Sequence, residues 1–250
     1  MQYLRKVILN LKRDVIEAIK KDRPFEIQMR TKLLALTYSA WSEAQFTQII
    51  YTPNTFTEIQ ITHMLKDSGI FNKWKILINY IFTEIEEYHK VQKIEKINKI
   101  KNDADNGWEK KLQENNQFYI TQQTIISHQK VTIVNYLENY IDKQSKVRNK
   151  IAHGQWITAL NPNNNQIDSI LTNELEVLNV FSIMKEFEIH TILGDIIRHL
   201  VQSPTKKFNH NYYKNIEKLE IYLDKMSTRN YESFKQDLEM QKQRFNNKSL

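Results

Sequence analysis

The sequence predicts an all-α fold. Glycine and proline number only four each in 250 residues, too few for the turns of a β-rich chain. Apolar residues recur every three or four positions through most of its length, the spacing that lines one helix face. A hydrophobic content of 40% suffices to bury a sizeable core. The clearest internal loop is too short to separate domains, so residues 1–250 read as one helical bundle.

Residues 3–21 place Leu4, Ile8, Leu11, Val15 and Ile19 on one face. Asp22-Arg23-Pro24 breaks this helix, and Pro24 suits the first turn of the next because its missing N–H is not needed there. That second helix, 24–50, is richly apolar around Leu33, Leu34, Leu36, Tyr38 and Trp41, and carries Glu43 in a half-buried stretch. A loop at 52–55 leads to a short helix, 57–66, ended by Asp67-Ser68-Gly69. A long helix follows over 71–100, with Trp74, Leu77, Ile81 and Ile85 at helical spacing. Its later half carries Lys90, Lys93, Lys96 and Lys99, a row that either tracks a phosphate backbone or simply faces solvent.

After the loop at 102–107, Trp108 opens a polar piece. Val131, Val134, Leu137, Tyr140 and Ile141 then lead into Arg148-Asn149-Lys150-Ile151-Ala152-His153-Gly154, where Gly154 stands as a helix C-cap glycine. The pattern changes beyond it. Residues 155–160 and 166–171 around Asn161-Pro162-Asn163-Asn164-Asn165 read as a small β-hairpin insert, 155–171, that shapes the face beside the helix end. Helical spacing returns over 174–201, breaks at Ser203-Pro204, and resumes over 208–226 and 230–245. The polar last residues are expected to fray.

Several chemistries are excluded. The chain has no cysteine, so disulfides, thiolate metal sites and Cys nucleophiles are absent. Its glycines, at 69, 107, 154 and 194, are too scattered for a phosphate-binding loop. Glu186 with His190 and Asp195 with His199 are carboxylate–His pairs at helical spacing. The two histidines lie nine residues apart, on opposite sides of one helix, so the expectation is no metal and no cofactor. No apolar span of membrane length occurs and the start lacks a signal-peptide core, which with the lack of cysteine points to the cytoplasm. The net charge of +7 favours an anionic partner.

Arg148 and His153 are the residues whose chemistry stands out. Metal-free RNA cleavage uses the ribose 2′-OH as nucleophile, so a site must move protons and stabilise a crowded phosphorane. Histidine is the residue type suited to the first task, and arginine offers a planar fork of donors for the second. Residues five apart lie about 140° apart around a helix, so the two do not share one stripe. A plainer reading also stands: a His beside a glycine cap serves the last carbonyls and the helix dipole.

The string Arg148-Asn149-x-x-Ala152-His153-Gly154 at the end of an amphipathic helix resembles the RNase motif of the HEPN superfamily. The resemblance implies an all-helical, metal-independent endoribonuclease of a toxin or antiphage system, acting on RNA as a homodimer with both motifs facing a shared cleft. It implies that His153 transfers protons, Arg148 stabilises the phosphorane and Asn149 positions one of them. Glu43 matches the acidic residue often carried on an early helix near that cleft, although a plain surface glutamate fits equally. Lys150, Lys90, Lys93 and Lys96 are the expected RNA contacts, and an antitoxin or sensor protein is a further expected partner. The alternative is a non-catalytic helical module that dimerises or binds RNA or a partner protein.

Overall fold

The computed structural model describes residues 1–67, 69–102, 107–202 and 208–248. They form α1 (Gln2–Lys20), α2 (Pro24–Ile50), α3 (Glu58–Lys66), α4 (Ile70–Asn102) and α5 (Trp108–Leu137). A π-helical turn (Glu138–Asp142) joins α5 to α6 (Lys143–Ala152). Then come α7 (Ser169–Glu176), α8 (Val180–Gln202), α9 (Phe208–Ser227) and α10 (Tyr231–Lys248). Positions 103–106 of the expected loop at 102–107, Ser68 of the expected helix end, the break at Ser203-Pro204 and the last two residues lie outside the described residues.

Local chemistry sets the boundaries. Pro24 occupies the first turn of α2. Thr57 and Gln60 cap α3 reciprocally: the Thr57 hydroxyl accepts from the Gln60 N–H at 3.3 Å, and the Gln60 carboxamide accepts from the Thr57 N–H at 2.8 Å. The consecutive pairs α1–α2, α4–α5 and α8–α9 pack most extensively, and α2 also packs against α6 and α8. Two apolar clusters result. One gathers Phe46, Trp74, Phe82, Ile133, Leu137, Ile141 and Ile196; the other gathers Ile8, Val15, Leu34, Tyr38, Trp41, Val147, Ile151 and Phe187. Helices α2 and α8 contribute to both.

His190 on α8 sits at the seam between them. Its ring lies 5.2 Å from that of Trp41 and 5.7 Å from that of Trp74, and its Nδ1 is 3.2 Å from the Tyr38 hydroxyl. Burial pushes the imidazole down to about 3. One turn later, Gly194 leaves room for Gln45, since a Cβ there would come within 1.9 Å of the Gln45 Nε2.

Two expectations need correction. The described residues contain no strand, and the expected hairpin over 155–171 reduces to one antiparallel bridge between Leu160 and Ile167. Pairing stops because Asp168 caps a helix, its carboxylate accepting from the Leu171 N–H at 3.0 Å, so Ser169, Ile170 and Leu171 wind into α7. The helical stretch expected over 174–201 is likewise divided between α7 and α8.

Candidate functional site

The path from α5 to α6 explains how the motif is presented. Ile126, Ile133, Leu137 and Ile141 are buried in the first cluster; Val147 and Ile151 belong to the second. A π turn holds an extra residue, which displaces the following side chains by about 100° around the axis. The change of winding falls where the helix passes from one cluster to the other.

The end of α6 is a Schellman cap. Gly154 takes φ +78, its N–H bonds the Ile151 carbonyl at 3.1 Å, and the Gln155 N–H bonds the Lys150 carbonyl at 2.9 Å. The following loop is fastened at three points. Ala159 is fully buried, the Trp156 carbonyl accepts from the Lys32 ammonium, and the Leu160 carbonyl accepts from the Lys150 ammonium. Lys32 is itself buried on α2, and burial lowers its pKa.

Arg148 and His153 leave the helix in different directions. Arg148 faces α2, where its Nε donates to the Ser39 hydroxyl at 2.6 Å and its Nη2 forms an ion pair with Glu43. Partial burial lowers the guanidinium pKa. His153 is exposed and lines an open groove of about 860 Å³ between the end of α6 and the 155–168 loop. Lys146, Asn149 and Lys150 line the same groove, with Gln155, Asn161, Asn164 and Asp168 from the loop and Leu171 from α7.

The structure therefore joins Arg148 to Glu43, and separately gathers Asn149, Lys150 and His153. Lys90, Lys93 and Lys96 join neither group. They lie on the later half of α4 beside α5, where Lys90 pairs with Glu87 at 3.5 Å and the Lys96 ammonium lies 5.7 Å from the centre of the Phe118 ring. Among the described residues no group of three or more histidines and carboxylates is placed to hold a metal ion. Asp195 bonds Arg198 at 2.8 Å, and His190 is a core histidine. No described helix is long and apolar enough to cross a membrane.

Sequence reasoning passed over Ser39, Lys32 and the loop carboxamides. For Ser39 a signal existed: four residues before Glu43 on one helix, it faces any partner that Glu43 meets. Lys32 and the loop carried no comparable sign, since their partners lie 124 residues away or depend on how a loop folds back.

Compared with known proteins, the chain matches no family model, no curated protein and no solved structure.

Proposed function

We propose that this chain is a metal-independent endoribonuclease of HEPN type, acting in the cytoplasm as a toxin or antiphage effector. The observation that carries the reading is the Arg148–Glu43 pair. A carboxylate singled out on an early helix meets the motif arginine across 105 residues of chain. The groove supports it too, with exposed His153 beside Asn149, Lys146 and Lys150.

In this reading a base takes the proton of a ribose 2′-OH as its oxygen attacks the adjacent phosphorus. The P–O5′ bond breaks, an acid protonates the leaving 5′-oxygen, and the products are a 2′,3′-cyclic phosphate and a 5′-OH end. His153 transfers protons. Arg148, held in orientation by Glu43 and Ser39, donates to the phosphoryl oxygens of the phosphorane. Asn149 positions one of these two side chains, and Lys150 with the α4 lysines Lys90, Lys93 and Lys96 contacts the RNA backbone. Because Arg148 and His153 diverge within one chain, a homodimer bringing two motifs to a shared cleft supplies the complete set. An antitoxin or sensor protein would control such an activity.

The same contacts favour a second reading. Arg148 bonded to Ser39 and Glu43 is also what a structural clasp between α6 and α2 requires, as in a non-catalytic helical module. Incubating total RNA with wild type, His153→Ala and Arg148→Ala separates them. The nuclease reading expects cleavage by wild type alone, unaffected by EDTA, with cyclic-phosphate ends and unchanged circular dichroism of the variants. Equal cleavage by all three proteins rejects the assigned site. Cleavage lost in EDTA, restored by magnesium and leaving 5′-phosphate ends, indicates a metal nuclease.

A further inference from the structure

On the RNA-cleavage reading above, we infer that Lys32 is a positioning residue for the site: its buried ammonium holds the Trp156 carbonyl and so fixes the loop that walls the His153 groove. Lysine rarely buries its charged end, yet Lys32 is only 3% exposed. Its ammonium donates to the Trp156 carbonyl. Burial lowers its pKa, and among the described residues no carboxylate offsets that cost. Methionine, of nearly the same length, would fill the space without desolvating a charge. Core packing therefore gives no reason for an ammonium here, whereas the carbonyl it holds gives one.

Lys32 stands seven residues before Ser39 and eleven before Glu43, so the three lie along one side of α2. Ser39 and Glu43 hold Arg148 on α6, while Lys32 holds Trp156, two residues past the Gly154 cap. One stripe of α2 thus fixes both the guanidinium and the chain that leaves the helix end. That chain is braced within itself. The Gln155 carboxamide accepts the Leu160 N–H at 2.7 Å, the Asn161 N–H bonds the Gln166 carbonyl at 2.8 Å, and the Asp168 N–H bonds the Ala159 carbonyl at 2.8 Å. Lys150 reaches this unit from α6 at the Leu160 carbonyl. One such contact leaves the loop free to pivot about it. The second, from a different helix, removes that freedom and sets where Gln155, Asn161, Asn164 and Asp168 stand in the groove.

Lys32→Met and Lys32→Arg, compared with wild type in two measurements, test this. Hydrogen–deuterium exchange reads the amides of residues 155–168, and RNA cleavage gives kcat and KM. Lys32→Met should keep the circular dichroism of wild type and exchange the Leu160, Asn161 and Asp168 amides about tenfold faster. Its kcat should fall about tenfold with KM changed less than about twofold, since orientation rather than affinity is lost. Lys32→Arg keeps the charge and the donors and should recover most of both.

If wild type cleaves RNA and folded Lys32→Met matches it in loop exchange or in kcat, the positioning role is overturned and the nuclease reading stands. Unfolding of Lys32→Met would show that packing needs the lysine, and failure of Lys32→Arg to recover either quantity would show that the charge does not hold the loop; each overturns the proposal. Without cleavage by wild type the nuclease reading falls. Faster exchange in Lys32→Met then still upholds the hold of Lys32 on the loop, and unchanged exchange overturns that as well.

Discussion

Arg148 and Glu43 form an ion pair across 105 residues of chain, joining the motif helix α6 to the middle of α2. The Glu43 carboxylate is half exposed, so solvent screens the pair and its share in stability is small. Its proposed importance is orientation. Glu43→Gln is therefore expected to cost less than about 1 kcal/mol in urea unfolding while lowering RNA cleavage about tenfold. Full cleavage by this variant would remove Glu43 from the site.

Gly154 holds the cap with φ +78, and a Cβ there meets nothing within 4 Å. A side chain at this position would suffer backbone strain and no clash. Gly154→Ala should destabilise the protein by about 1 kcal/mol, and Gly154→Asn by less, because asparagine tolerates the left-handed conformation better. Thermal unfolding of the two variants checks the order. Equal stability of all three proteins would mean that the cap does not hold the glycine in that conformation.

His190 predicts a pH effect whose direction follows from its burial. Folding lowers its pKa from 6.5 to about 3, so between those values the unfolded chain binds a proton that the native chain refuses. Stability is complete above the unfolded value and declines as pH falls. From about pH 7 to about pH 5 this one group should remove about 2 kcal/mol. Urea unfolding of wild type and His190→Gln at both values tests it: the variant should lose less on acidification, by about that amount. Parallel losses in the two proteins would show that the imidazole titrates normally.

Divergence of Arg148 from His153 leads to an expectation about assembly. The active species should be a homodimer with the two motifs near its two-fold axis. Two guanidinium groups brought close repel when empty and are relieved by a bound anion, so dimerisation should strengthen with sulfate or RNA. Sedimentation and specific activity over one dilution series provide the measurement. Activity per chain should fall as dimer dissociates; a monomer with full activity contradicts the shared cleft.

The sequence by itself determined the helical class and most helix positions, because apolar spacing and the Pro24 break act over a few residues. It also marked the Gly154 cap, which depends only on the adjacent turn. It read one continuous approach to the motif where the chain makes a π turn, and a hairpin where Asp168 starts a helix. Local pattern did not separate the alternatives in either case: the Asp168 cap favours the helix, and the π turn falls where the chain passes between the two apolar clusters. Tertiary structure alone decided that Arg148 meets Ser39 and Glu43, that Lys32 holds the Trp156 carbonyl, and that the loop carboxamides line a groove with His153. Those contacts join residues far apart in the chain. They exist only because α2 and α6 pack over a shared core, an arrangement that no local pattern of side chains encodes.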